Sequence, residues 1–469
     1  MQHRDAILTH DSEGKPVEPE WPQADCIIGN PPFLGGKRLR TEMGNAPVDE
    51  LFRLYAGRVP QEADLVTYWF EKARAQVEAG KTKRVGLLAT QSIRAGANLK
   101  TLERIKESGG IFMAWSDRPW ILEGAAVRVS MIGFDDGSQT ERTLDGQKVE
   151  VIHANLTSEA DTTTAHALPE NAKITFQGPV KVGSFELTDM EARSILPLPN
   201  PHGLSNALVI RPWMNASDIT TRSRSMWIID FAEMTESEAC LFEAPFELVK
   251  IRVKPSRIKN KDRQRREHWW RLGRSGSDLR AAKAGKTRLI ATPRVSKHRI
   301  FVWLDRNVVP DSRLYVFARD DDYFFGVLHS RLHEAWSLAT CSWHGDGDDG
   351  GRPTYNATSC FETFPFPWPP GHEPKESPLV EAIAAAAREL VKMRDAWLNP
   401  PDAPPEELSK RTLTNLYNVH PTWLVELHCK LDDAVFAAYG WPTTLTDAEL
   451  LERLLALNHD RATVPQKAR

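Results

Sequence analysis

The sequence predicts an α/β chain: part of a doubly wound parallel sheet, then an α+β region, then a helical tail. Three observations carry this. Short apolar runs alternate with amphipathic stretches between residues 26 and 134, the rhythm of strands and their covering helices. From about residue 202 to 370 that rhythm gives way to a basic, aromatic region. Beyond residue 374 the chain is helical in pattern, interrupted at Pro400-Pro401 and Pro404-Pro405. The expected divisions are 1–140, a connecting segment 141–200, 201–370 and 371–469.

Taken in order, Asp25-Cys26-Ile27-Ile28-Gly29-Asn30-Pro31-Pro32-Phe33 comes first. Cys26 to Ile28 reads as a short buried strand, covered on both faces, running into a rigid turn. Residues 34–63 read as a Gly- and Arg-containing loop, in which Lys37, Arg38 and Arg40 are candidates for phosphate contact. Asp64 to Ala73 has a helix cap followed by apolar residues at helical spacing, and Gly80 ends it. Arg84 to Thr90 is a buried strand, Ala97 to Glu107 a helix closed by Gly109-Gly110, and Ile111 to Ser116 another strand. Asp117-Arg118-Pro119-Trp120 is placed on a loop near that strand's end. Val127 to Phe134 alternates and reads as a final, antiparallel strand. Ala382 to Trp397, Leu424 to Tyr439 and Thr446 to Leu457 are helices of the tail, the last capped by Thr446 and Asp447.

Composition sets bounds. With 41% hydrophobic and 26% charged residues the chain is an ordinary globular protein, long enough at 469 residues for two or three domains. Cys26, Cys240, Cys341, Cys360 and Cys429 are scattered with no Cys-x-x-Cys pair, which points to free thiols and a cytoplasmic location. No apolar run is long enough to span a membrane. The scattered His and Cys have no zinc spacing, and His344 to Gly350 fails the calcium-loop pattern, so no metal is expected.

The chemistry lies in the turn. Ligands bind at the carboxyl ends of strands in open α/β sheets. Pro31 and Pro32 stiffen the backbone and remove two donors, leaving carbonyls free to accept. Asn30 adds an amide oxygen that accepts from an exocyclic amine. Phe33 adds a flat face for a base taken out of its duplex. An ordinary Asx-capped Pro-Pro turn is the other reading of these four residues. Asn30-Pro31-Pro32-Phe33 after an apolar strand resembles the catalytic motif of the amino-methyltransferases that methylate N6 of adenine in DNA with S-adenosyl-L-methionine.

The resemblance implies that Asn30 Oδ1 and the Pro31 carbonyl accept the two hydrogens of the adenine amine, with Phe33 stacked on the flipped base. It also implies a partial Rossmann-like S-adenosylmethionine methyltransferase sheet, followed by an α+β target-recognition domain and a helical C-terminal tail. His3-Arg4-Asp5-Ala6-Ile7-Leu8 is similar to the segment ending the family's third strand, which makes Asp5 the cofactor-binding candidate; a surface Asp is the alternative. Trp120, in a Pro-Trp pair, is the candidate second wall of the base pocket or else a core Trp. The family's Gly-rich cofactor turn is not found ahead of Asn30.

Between residues 250 and 300 there are 18 Lys and Arg against three acids, interleaved with Trp269 and Trp270. A patch of this density is an electrostatic footprint for a phosphate backbone, or else a solvated face. Lys254, Arg257, Lys259, Lys261, Arg263, Arg265, Arg266, Arg294, Lys297 and Arg299 are the candidate DNA contacts. Ile210 to Asp218, Met226 to Phe231, Ala291 to Arg299, Phe325 to Ser330 and Thr358 to Pro367 resemble the target-recognition domain of the large type II restriction–modification enzymes that join an N6-adenine methyltransferase to a nuclease. Phe361, Phe364 and Phe366 of the last stretch read as packing residues. The resemblance implies an adenine-specific DNA methyltransferase acting on double-stranded DNA. The alternative is a DNA-binding specificity chain that needs a second chain carrying the cofactor-binding segment. Methylation of a protein glutamine is a third reading, disfavoured by Phe33 and by the basic, Trp-rich region.

Overall fold

The computed structural model describes residues 5–122, 125–158, 160–344 and 352–463. His3, Arg4 and the Gly-Asp turn at 345–350 lie outside them. The chain forms two compact units. One comprises Met1–Ala165, Thr340–Arg352 and Leu451–Leu455; the other comprises His166–Ala339, Pro353–Leu450 and Ala456–Arg469.

In the first unit the elements in order are β1 (Cys26–Gly29), α1 (Leu39–Met43), α2 (Asn45–Leu54), α3 (Val66–Glu78), β2 (Arg84–Thr90), α4 (Gly96–Ser108), β3 (Gly110–Leu122), β4 (Ala125–Asp135), β5 (Arg142–Leu144) and β6 (Gln147–Val149). They build a six-stranded sheet in the order β1-β2-β4-β3-β5-β6. β1 runs parallel to β2, with Cys26 opposite Arg84 and Gly29 opposite Leu87. β4 is inserted antiparallel between β2 and β3, as its alternating pattern predicts. Every second residue of β2, Val85, Leu87 and Ala89, is buried, and one face of α3, Val66, Phe70, Ala73 and Val77, packs in the same core. Burying a side chain such as Phe70 contributes about 1.5–3 kcal/mol. Gly80, at φ +67°, takes the left-handed conformation that closes α3.

Four expectations are corrected. β1 is parallel but not covered on both faces: Cys26 is exposed and Ile28 is 81% exposed, because the strand lies at the sheet edge and pairs only with β2. Residues 34–63 are not a loop. They hold α1 and α2, where Arg38 pairs with Glu42 and Arg40 with Asp49. Trp120 is not on a loop; β3 runs on through it, and Pro119 and Trp120 sit opposite Arg128 and Val127. Register shifts at Ile111/Met113 and Trp115/Arg118 let this long strand continue past the expected end. The expected connector is also divided, since β5 and β6 complete the first sheet.

The second unit holds two four-stranded sheets and most of the tail. Its strands are β7 (Thr175–Gln177), β8 (Glu186–Leu187), β9 (Ile210–Met214), β10 (Trp227–Ile229), β11 (Arg288–Pro293), β12 (Val302–Asp305), β13 (Val309–Pro310) and β14 (Leu314–Phe317). The sheets are β8-β10-β9-β13 and β12-β11-β14-β7. Helix α5 (Glu243–Arg252) lies in sequence between β10 and β11. Helix α6 (Asp322–His329) packs with two helices of the tail, α7 (Pro378–Leu398) and α8 (Thr422–Tyr439). Gly326 permits this: a Cβ there would stand 2.7 Å from Ile383 Cγ2. Phe361, Phe364 and Phe366 are buried among one another, as expected of packing residues. Among the described residues no helix is long and apolar enough to cross a membrane.

One buried charge joins α3 to α4. The Glu71 carboxylate has no exposure, and it pairs with Arg74 at 2.9 Å and with Arg104 at 3.1 Å. Removing Glu71 takes the partner of Arg104 and leaves Arg74 with one carboxylate, Glu78, at 3.0 Å. Glu71→Ala is therefore expected to lower unfolding free energy by about 3–5 kcal/mol, read from the urea midpoint. A loss under about 1 kcal/mol would mean that Glu78 and solvent hold the Arg74 charge without Glu71.

Candidate active site

β1 delivers Asn30-Pro31-Pro32-Phe33 at its carboxyl end. Asn30 is exposed, and its amide makes no hydrogen bond to the described residues. Pro31 is buried, Pro32 exposed and Phe33 half-buried. An unpaired amide on a proline-stiffened turn is ready to accept a hydrogen bond from a ligand. Leu34, next in the chain, packs against a core of Ile7, Leu39, Tyr55 and Tyr68. The turn is thus anchored on its far side while Asn30 stays open.

A carboxylate holds the loop that follows. Asp64 Oδ1 accepts from Gly36 N at 2.9 Å. Its Oδ2 accepts from Ser92 Oγ and from Asn98 Nδ2, both at 2.8 Å. Asn98 Oδ1 in turn accepts from Asp64 N at 2.7 Å, and Leu65 N donates to Leu34 O at 2.8 Å. Thr90, the last residue of β2, lies 2.6 Å from the Ser92 hydroxyl. The loops that leave β1 and β2 are thereby tied to one side chain at the start of α3. Gly36 is required here: a Cβ would stand 2.3 Å from Glu62 O. The sequence marks Asp64 only as a helix cap, and Ser92 and Asn98 carry no signal that distinguishes them from surface residues.

The other expected site residues fall in separate places. Asp5 is exposed, and its Oδ1 accepts from Ile7 N and Leu8 N at 2.9 and 3.0 Å, an Asx-type turn. Residues 5–8 are not part of the six-stranded sheet. Trp120 is half-buried on β3.

In the second unit Lys259, Lys261, Arg263, Arg266 and Lys297 are exposed. Arg263 pairs with Glu267 at 2.7 Å, and Arg266 donates to Asn260 O at 2.9 Å. Lys254 lies over the Trp269 ring at 4.5 Å. Arg294 lies over the Tyr315 ring at 5.6 Å. Trp269 and Trp270 do not present stacking faces to solvent. They are 4% and 6% exposed, in a core with Phe246 and Phe231. Their spacing inside the charged run reflects a segment wrapped over its own apolar anchor. Arg257 and Arg299 are also buried; Arg299 donates to Thr292 Oγ1 at 3.0 Å and to the Pro293 carbonyl at 2.5 Å.

Residues 6–145 match the family model of the MmeI DNA-methyltransferase domain. The chain is 23% identical over 454 residues to DNA methyltransferase A of Bacillus subtilis (strain 168), covering 92% of this chain and 47% of that protein. The fold matches that of the type IIL restriction-modification enzyme MmeI, solved in complex with DNA, with a TM-score of 0.73 and 22% identity, over 94% of this chain and 57% of the other. The chain spans about half the length of the relatives it matches.

Replacing Asp64 leaves the Gly36, Ser92 and Asn98 donors without their acceptor. Asp64→Ala is expected to cost about 1–3 kcal/mol of stability, measured by urea unfolding. It should also raise hydrogen exchange at the Gly36 amide, and unchanged exchange there would show that the carboxylate does not hold the loop.

Proposed function

We propose that this chain, a member of the type II restriction–modification methyltransferase family, carries the base-modifying and DNA-reading parts of a site-specific DNA methyltransferase that acts on N6 of adenine. The observation that supports this is Asn30, open and unpaired at the carboxyl end of β1, with Phe33 beside it on a proline-stiffened turn. An adenine amine is a weak nucleophile because its lone pair is delocalised into the ring. Asn30 Oδ1 and the Pro31 carbonyl, accepting its two hydrogens, draw that lone pair back onto nitrogen. The charge that develops on nitrogen during methylation strengthens both bonds, so they favour the transition state over the ground state. Phe33 holds the base flat.

Methyltransferases of this kind generally use S-adenosylmethionine, a sulfonium that supplies an electrophilic methyl group. For its pocket the described residues offer one candidate carboxylate, Asp5, and no glycine-rich turn between a strand and a helix beside β1. They do not by themselves enclose the cofactor, so the role assigned to this chain is on the amine side. The outer edge of β1 bears no further strand among the described residues. That open edge favours a second reading, in which the chain reads DNA and meets the cofactor only when another segment or a second chain adds strands there. Double-stranded DNA is the partner in both readings, met by the exposed cations of the second unit.

The test is methylation of duplex DNA with labelled S-adenosylmethionine. Asn30→Ala should reduce the rate by about 10²-fold or more, the cost of losing one preorganised polar group, with duplex affinity unchanged. Equal rates in the variant would sink the assignment. A wild-type chain that binds duplex but neither binds the cofactor in calorimetry nor methylates would establish the second reading.

A further inference from the structure

In the second unit a cavity of about 60 Å³ is lined by four arginines, Arg257, Arg265, Arg271 and Arg274, with His268 and one carboxylate, Glu233. It has room for a group the size of a few waters. The carboxylate is already engaged: Arg271 Nη1 lies 3.0 Å from Glu233, and the Ser275 hydroxyl also donates to it. Arg257 is 1% exposed, and among the described residues no carboxylate pairs with it. Its Nε donates to Val182 O at 2.7 Å and its Nη2 to Lys181 O and Arg271 O at 2.8 and 3.1 Å. Its Nη1 has only a long contact, 3.5 Å, to Arg265 O.

Carbonyls satisfy donors but do not cancel a full charge, and a buried unpaired charge is costly. Burial of Arg257, with the nearby Arg265 charge, holds its pKa below the ordinary value against the opposing pull of Asp262. Arg265 Nε is buried and unsatisfied; Asp262 Oδ2 is 3.2 Å away but out of line for a hydrogen bond. Arg274 Nη2 donates to Gln177 Oε1 and Gly178 O, both at 2.9 Å, again with no acid among the described residues. His268 Nδ1 faces Gln264 O at 3.2 Å. The walls are fixed by backbone pairing, Arg274 N to Val180 O at 3.0 Å and Gly273 N to Lys181 O at 3.1 Å.

We propose that this pocket seats one phosphate group, that of a DNA backbone, between the Arg257, Arg265 and Arg274 guanidinium groups. The proposal rests on the DNA-binding reading above. A phosphate oxygen fits the unsatisfied Nε donor of Arg265, and the anion offsets the charges of Arg257 and Arg274, which meet only carbonyl and amide oxygens. Such a contact positions the duplex without reading its sequence. It differs from the exposed lysines nearby because its donors are already oriented.

The experiment measures binding of the full chain to a fluorescent duplex across a salt series, for wild type, Arg265→Gln and Arg274→Gln, with thermal melting to confirm folding. Arg257 is left in place because its carbonyl contacts hold the fold. Each variant is expected to bind about tenfold more weakly on every sequence, with the log–log salt slope smaller by about 0.9, one phosphate lost. Wild-type binding with both variants unchanged in affinity and slope would overturn the pocket and leave the DNA reading intact. No binding by wild type would overturn both. A parallel melt in inorganic phosphate against chloride at matched ionic strength separates the sources. Stabilisation by phosphate that both variants lose, with unaltered DNA slopes, would mean a free-anion site and overturn the DNA assignment.

Discussion

The Asp64 carboxylate is the constraint on which the candidate site depends. A turn at the edge of a sheet has one neighbouring strand, so pairing alone cannot hold it. Asp64 supplies the missing restraint by accepting from Gly36 N, Ser92 Oγ and Asn98 Nδ2 at once. Charge-assisted bonds are stronger than neutral ones, and three of them converge on one residue at the start of α3. Asn30 is left open because the loop after it is held elsewhere. Preorganisation of this kind places an acceptor before a ligand arrives, so little ordering remains to be done on binding.

The same division between anchor and open group recurs in the basic region. Trp269 and Trp270 sit in the core with Phe246, while Lys259, Lys261 and Arg266 stay exposed. The apolar side chains hold the segment, and the cations project from it. Arg257 and Arg299 reverse that role, turning inward to donate to main-chain carbonyls. A count of charges along the chain treats all of these alike. The fold separates them into solvent-facing cations, carbonyl-binding arginines and the arginines around one small cavity.

Energetics follow the same line. The sheet of the first unit is stabilised by alternate burial along β2 and by the apolar face of α3. Glu71, fully buried between Arg74 and Arg104, links α3 to α4 where a fully apolar contact would have less directional preference. In the second unit Gly326 lets α6 approach α7 more closely than any side chain would permit.

Much of this was legible in the sequence, and the rest has a physical reason for being hidden. Arg84 to Thr90 forms the strand its apolar run predicts, and Val127 to Phe134 lies in the antiparallel strand its alternation predicts. The helices of the tail begin near their expected starts, while the last runs on to Thr463, past the expected end at Leu457. These are local: propensity, period and breakers act within a few residues of one another. The Asn30 to Phe33 motif was equally local, since its four residues are adjacent in the chain. Whether a strand lies at the centre or the edge of a sheet depends on residues far away in the chain, so Cys26 to Ile28 looked buried and is exposed. The partners of Asp64 come from three different segments, and the direction in which Arg257 turns is set by carbonyls about 75 residues upstream. Composition and spacing determined most of the elements and marked Asn30 to Phe33 as a candidate site. Only tertiary packing decided which of those groups face water, because burial is a property of the assembled neighbours and not of the residue.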